Sequence, residues 1–391
     1  MKYNFDKVID RSGTSAEKVE GLKHIWGRTD LIPLWVADMD FATAPFVTDA
    51  IRKRCENEVL GYTGKPDSYY NAIINWVKQR YDLIVTKEVI NFVPGIVPGI
   101  GMAMNCFTQK GDKVMIQPPV YHPFAWVTTR NERTLVINPL RWENGMYRMD
   151  LDAFREQIKG CKLFILCNPH NPGGVVWTEA ELRAIADICY DEKVLVFSDE
   201  IHADLTLPPH THRPFATVSE KARMNSVTFM SPSKAFNMPG LSASHALIFN
   251  EDLRKRFRIY MDAGELDMGH VFAFLSVEAA YSHGTEWLDQ CLAYIQGNID
   301  FVDEFLKKHA PKIKAIRPEA SYLVWLDCRE LELSQKDLNE FFVDKAHLAL
   351  NDGAMFGKEG TGFMRLNVAS PRCIIEKAMK QLADAYQLYI K

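Results

Sequence analysis

From residue 88 onward the chain alternates short apolar runs with amphipathic stretches. The runs at 89–93, 113–117, 134–138, 163–167, 194–197, 227–230 and 246–249 are dominated by Val, Ile, Leu and Phe. Runs this short and continuous, without polar alternation, are the mark of strands buried on both faces of a parallel sheet. Helical patterns fall between them. Thr178 with Glu181 makes a capping box, and Leu182, Ile185, Ala186 and Cys189 then recur at helical spacing. Pro94 to Gly101 is a glycine-rich turn that opens a helix through Met104 and Phe107. The alternation predicts an α/β chain with a doubly wound, mostly parallel sheet.

Both flanks read differently. Residues 31–41 are apolar but broken by Pro33, Asp38 and Asp40, which predicts an extended segment crossing a site. Thr43 is the expected N-cap of a helix with Pro45 in its first turn. A turn at 60–64 separates it from a second helix carrying Ala72, Ile73, Trp76, Val77 and Arg80. Beyond Gly284 helical periodicity takes over through Leu292, Ile295, Ile299, Val302 and Leu306. Strands at 322–326 and 363–368 follow, then a closing helix that starts at Pro371. At 391 residues the chain exceeds one ordinary core. The expected division is a large domain over 46–284 and a smaller α+β domain built from 1–45 and 285–391.

Composition narrows the class. The chain is 47% hydrophobic and 25% charged, which marks it as globular. A formal net charge of −4 gives no reason to expect nucleic acid or an anionic membrane as partner. No apolar run approaches the roughly 20 residues of a membrane helix, and the polar start shows no signal peptide. The eight cysteines are scattered without a C-x-x-C pair, as expected of reduced core thiols in a cytoplasmic protein. His210 and His212 lie in a Pro-rich loop and are expected to be solvated; no metal site is expected.

The candidate chemistry sits at strand ends. Lys234, in Ser231-Pro232-Ser233-Lys234, follows the run 227–230 and points into the crevice where open α/β sheets bind ligands. A desolvated lysine there can lose its proton and attack a carbonyl carbon. Asp199 ends the run 194–197. Pyridoxal 5'-phosphate (PLP) needs this pair: a lysine to bond its aldehyde carbon and a carboxylate to keep its ring nitrogen protonated. Asn171, in Asn168-Pro169-His170-Asn171-Pro172-Gly173, sits on a rigid turn that can aim an amide at the ring oxygen. Val97 and Pro98 lie where a helix N-terminus offers free N–H groups to a phosphate, and Ser231 and Ser233 can add hydroxyls. Tyr121 is placed to lie against a flat ring. Arg365 interrupts an apolar strand, which calls for a carboxylate partner in the protein or the substrate.

Asn171, Asp199, Lys234 and Arg365 occur in the order and spacing of the fold-type I PLP enzymes, the aspartate aminotransferase superfamily, and the resemblance covers essentially the whole chain. Residues 34–41, 119–124 and 198–202 resemble its cystathionine β-lyase (β-C–S lyase) branch. The resemblance implies a PLP-dependent transferase-like fold in which Lys234 holds PLP, Asp199 the ring nitrogen and Asn171 the ring oxygen. It implies that Tyr121 stacks on the ring, that His202 joins the cofactor contacts, and that Arg365 holds the substrate α-carboxylate near Trp35 and Ala37. It further implies a homodimer with sites at the subunit interface, where Tyr62 reaches the neighbour's phosphate. Two departures from the aminotransferase pattern stand out. His202 occupies a position where many aminotransferases carry tyrosine, and no phosphate-binding arginine follows Lys234 before Arg254. The expected activity is cleavage of the Cβ–S bond of cystathionine or related cysteine thioethers to a thiol, pyruvate and ammonia. The alternative is an aminotransferase acting on an aromatic or sulfur amino acid, and a non-catalytic binding protein on this fold is a distant third.

Overall fold

A computed structural model describes residues 2–390. Seven strands form the central sheet: β1 (Ile90–Val93), β2 (Lys113–Ile116), β3 (Thr134–Ile137), β4 (Cys161–Cys167), β5 (Leu195–Asp199), β6 (Ser226–Met230) and β7 (Ser244–Leu247). Their order is β1-β7-β6-β5-β4-β2-β3, and only β7 runs antiparallel to its neighbours. Every residue of β1, β6 and β7 is buried, which is why these segments carry no polar alternation. The helix Glu179–Asp191 opens with the expected capping box between Thr178 and Glu181.

The register of β4, β5 and β6 decides where the chemistry gathers. Cys167 pairs with Asp199, and Asp199 with Phe229. The three parallel strands therefore end level with one another. The turns that follow, bearing Asn171, Asp199 and Lys234, converge on one edge of the sheet. That edge is the carboxyl end, where open α/β sheets hold ligands.

A second sheet has four strands: β8 (Lys314–Ile316), β9 (Leu323–Asp327), β10 (Asn351–Asp352) and β11 (Phe363–Asn367), in the order β8-β9-β11-β10. It is antiparallel, and Arg365 on β11 lies between Trp325 of β9 and Asn351 of β10. The helices Thr285–His309 and Arg372–Tyr389 belong to the same C-terminal part of the chain. One apolar cluster runs from Phe5 and Leu34 through Phe236 and Trp287 to Leu382 and Tyr386, joining the chain's two ends to its middle. Among the described residues no helix is long and apolar enough to cross a membrane.

Two local expectations are corrected, and one helix is new. Ala44, not Thr43, precedes the helix Pro45–Cys55 as its cap. The Thr43 hydroxyl instead donates to the Asn237 carbonyl at 2.6 Å, a partner almost two hundred residues away that local rules do not see. His212 is buried rather than solvated, with Nε2 2.8 Å from Glu200 Oε2; His210 remains exposed. The helix Glu17–Trp26 was not foreseen, because few of its residues are buried.

Candidate active site

The carboxyl edge of the sheet opens into a pocket of about 810 Å³. Its floor is Asp199, Ile201 and His202 after β5, with Cys167 and Asn171 after β4. One wall is Ser233 and Lys234, together with Ser242, Ala243 and Ser244 where the chain enters β7. Gly95, Ile96, Val97, Pro98 and Tyr121 also line it, and Ala37 lies beside Lys234.

The helix Ile96–Phe107 begins at this pocket, so its unpaired N–H groups and positive dipole end face it. Gly95 caps the helix at φ +124°, a backbone conformation that side chains disfavour. Gly99, one turn on, has no room for a side chain: a Cβ there would stand 2.9 Å from Val93 Cγ2 and 3.2 Å from Phe229. The glycine-rich turn thus seats the helix end tightly against the sheet.

Lys234 Nζ donates to the Ala37 carbonyl at 2.6 Å. Burial of the ammonium pulls its pKa down to about 8 despite the opposing pull of Asp38. Asp199 is buried, with Oδ1 accepting from the Ile201 N–H at 3.1 Å and no cation bonded to it among the described residues. Desolvation, reinforced by the neighbouring Glu200, raises its pKa to about 7, against the Ile201 hydrogen bond and the Lys234 charge. His202 is pushed the other way, to about 3, by burial and by the Lys234 and Arg365 charges, so it is neutral. Two groups with their proton affinities moved toward neutrality in one cleft mark a functional site.

Arg365 is buried, and among the described residues it has no carboxylate partner. Nη1 donates to Asn171 Oδ1 at 3.1 Å, and Nη2 to the Trp35 carbonyl at 3.0 Å and Asn351 Oδ1 at 2.5 Å. Its Nε has no acceptor among the described residues, and its guanidinium carbon lies 4.8 Å from the centre of the Phe356 ring. Neutral acceptors alone do not balance a desolvated guanidinium, whose pKa falls to about 10 through burial.

The segment 35–41 that borders this arginine is fixed almost atom by atom. Tyr322 Oη donates to the Ala37 carbonyl at 2.9 Å, and Asn367 Nδ2 to the Val36 and Asp38 carbonyls at 2.7 and 2.6 Å. Asn237 holds Met39 and Phe41. Asp38 and Asp40 are paired with Arg11 and with Lys18, whose side chain is fully buried.

The residues singled out from sequence are thus placed as follows. Lys234, Asp199, Asn171, Tyr121, His202, Ser233, Val97, Pro98 and Ala37 share the pocket wall. Trp35 turns its indole away, with Nε1 donating to the Lys18 carbonyl at 3.0 Å and its ring edge-on to Trp26, and presents only its carbonyl to Arg365. Ser231 lies behind the wall: its hydroxyl donates to the Ala243 carbonyl at 2.7 Å and accepts from the Ser233 N–H. Tyr62 is 98% exposed on a stretch of irregular backbone. Sequence reading missed Asn351, Phe356, Tyr322 and Asn367. Asn351 and Asn367 did carry a signal, each being a polar residue beside an apolar run.

The wall suits the cofactor expected from sequence. The buried Asp199 carboxyl, without a cation bonded to it among the described residues, has room in its hydrogen bonding for a ring N–H. Asn171, with its oxygen committed to Arg365, has Nδ2 free to donate to an oxygen. A helix N-terminus and the unengaged Ser233 hydroxyl suit a phosphate, and a deprotonatable amine stands alongside.

Residues 29–382 match the family Aminotransferase class I and II. The chain belongs to that family. Among its relatives is cystathionine beta-lyase PatB of Bacillus subtilis (strain 168), 38% identical over 384 residues, which span 98% of this chain and 99% of PatB. Among solved structures, cystalysin from Treponema denticola, which contains a pyridoxal 5'-phosphate cofactor, superposes with a TM-score of 0.96 at 33% identity over the whole of both chains. The PLP-bound C–S lyase from Staphylococcus hominis superposes with a TM-score of 0.90 at 35% identity over 98% of each.

Proposed function

We propose that this family member is a PLP-dependent C–S lyase that converts cystathionine or a related cysteine thioether, with water, to a thiol, pyruvate and ammonia. The observation that carries the reading is Arg365. It is a buried guanidinium with no anionic partner among the described residues, set beside a pocket that already holds an amine and a carboxylic acid tuned toward neutrality. An α-amino acid supplies the missing anion.

Lys234 would hold the cofactor covalently, Asp199 would face its ring nitrogen and Asn171 Nδ2 its ring oxygen. The helix end at Ile96 to Pro98 and Ser233 would receive the phosphate. When bound, PLP supplies a carbonyl carbon for the amino group and a protonated ring that accepts the electron pair left at Cα. The protein supplies the rest. Arg365 grips the carboxylate with two parallel N–H bonds and fixes which way the Cα–H bond points. Lys234, with its pKa near 8, takes the α-proton on Nζ as general base. Buried Asp199 holds its counter-charge where water cannot screen it. The thiolate then leaves from Cβ.

The division into a large domain over 46–284 and a small domain over 1–45 and 285–391 is part of this reading. So is a homodimer, supported by the exposed apolar side chains Val59, Leu60 and Tyr62 clustered on one segment. A cytoplasmic location is supported by eight free cysteines. The test is incubation of the holoenzyme with cystathionine and no oxo-acid acceptor. Sustained release of pyruvate, ammonia and thiol is expected; a halt after one turnover per site would assign the protein to the aminotransferases instead.

A further inference from the structure

Cys167 lines the pocket that Lys234 and Asp199 share, without a part in the proposed chemistry. It is the last residue of β4, pairs in register with Asp199 and stands four residues before Asn171. Its thiol is free and buried. Burial, reinforced by the Asp199 charge, pushes its pKa well up, so the group stays a neutral thiol and is no nucleophile. A neutral thiol can accept one hydrogen bond and donate another.

The turn after β4 has few backbone donors, because Pro169 and Pro172 have none. The Asn168 N–H goes to the Asp199 carbonyl at 2.9 Å and the His170 N–H to the Val175 carbonyl at 2.8 Å. The Asn171 N–H goes to the Cys167 sulfur at 3.3 Å, its only acceptor among the described residues. The thiol in turn donates to the Pro169 carbonyl at 3.5 Å. One side chain thus closes the turn at two points. Cys167 is itself anchored, since its carbonyl accepts from Trp177 Nε1 at 2.9 Å. Asn171 is buried, so without the sulfur its N–H would stand unpaired, a cost that a small rotation of the turn would relieve. That rotation would carry the side-chain amide with it. The amide has little tolerance for movement, because Oδ1 accepts from Arg365 Nη1 while Nδ2 is the donor offered to the ring oxygen.

We infer that Cys167 is a positioning residue for Asn171: by holding the Asn171 N–H, its sulfur sets the angle at which one amide meets both the ring oxygen of PLP and Arg365. The inference rests on the proposed placement of Asn171 against that oxygen, and it assigns the thiol a task that a hydroxyl could share and a methyl could not.

The test reads the cofactor's colour rather than turnover. Wild type, Asn171→Ala, Cys167→Ala, Cys167→Ser and the double variant Cys167→Ala/Asn171→Ala are loaded with PLP and titrated by visible absorbance. The yellow chromophore formed with Lys234 titrates by losing the proton shared between its nitrogen and the ring oxygen. An amide N–H donated to that oxygen favours the deprotonated form, in which the oxygen's charge is otherwise uncompensated. Asn171→Ala should therefore raise the chromophore's pKa by about one unit, the scale of one hydrogen bond to a charged group. Cys167→Ala should raise it as well, and the double variant no further than Asn171→Ala alone, because the sulfur acts only through the amide. Cys167→Ser keeps an acceptor for the Asn171 N–H and should stay near wild type. A residue that only fills space would lower Tm and leave this pKa where it was. If Asn171→Ala shifts the pKa but Cys167→Ala does not, or if Cys167→Ser shifts it as far as Cys167→Ala, the inference alone is overturned. An unmoved pKa in Asn171→Ala would refute the placement of Asn171, and this inference with it.

Discussion

Replacing Arg365 with lysine keeps the charge and removes the planar fork. In the structure the guanidinium distributes its donors over Asn171 Oδ1, the Trp35 carbonyl and Asn351 Oδ1, at 3.1, 3.0 and 2.5 Å. A lysine ammonium is a single point and cannot hold these acceptors and also grip a carboxylate with two parallel bonds. At least one charge-assisted hydrogen bond to the substrate is lost, worth about 1.5–3 kcal/mol. At 1.36 kcal/mol per decade this is roughly a 10- to 150-fold fall in kcat/KM. The displaced amide oxygens also leave a small stability deficit, which should appear as a drop of a few degrees in Tm. The assay is initial-rate pyruvate release over a range of cystathionine concentrations, with melting followed in parallel on the cofactor-free protein. A variant within about 3-fold of wild-type kcat/KM and with an intact Tm would show that the carboxylate binds elsewhere, and the assignment of the anion site would fall with it.

Three further outcomes are expected. Asp199→Ala should keep cofactor bound covalently at Lys234, as borohydride trapping and peptide mapping would show, while losing most turnover; near-wild-type turnover contradicts the role of the buried acid. The cofactor-free protein should show a two-limbed dependence of Tm on pH. Between about pH 4 and 7 folded Asp199 keeps a proton that the unfolded chain has lost, so its contribution to stability falls as pH rises; between about 8 and 10.5 the unfolded chain keeps a proton that folded Lys234 has lost, so stability rises. Asp199→Asn should flatten the first limb and Lys234→Met the second, and unchanged curves would contradict both shifts. If Tyr62 serves a partner's site, mixing Tyr62→Phe with Lys234→Ala protein should regain activity through hybrid dimers, and a fully active monomer in sedimentation would exclude that arrangement.

What could be read from the sequence was local or periodic. Lys234, Asp199 and Asn171 each stand just past an apolar run, and strands that end level bring such residues together without any further information. Arg365 was visible because an arginine inside an apolar strand has to be paired with something. The parts that stayed hidden depend on partners distant along the chain. Lys18 drew no attention in the sequence, yet it is fully buried because Asp38 and Asp40 wrap back onto it. Thr43 obeyed the rule for a helix cap but was claimed by Asn237. His212 looked like a loop histidine, while Glu200, next to Asp199, draws it into the core. These hidden residues have a common consequence. They hold the segment 35–41 and the end of β5, the two pieces of backbone that set where Lys234, Arg365 and Asp199 stand. The groups proposed to be catalytic were legible because their chemistry demands particular residue types at strand ends. The residues that position them can be of many types, so they declare themselves only when the chain is folded.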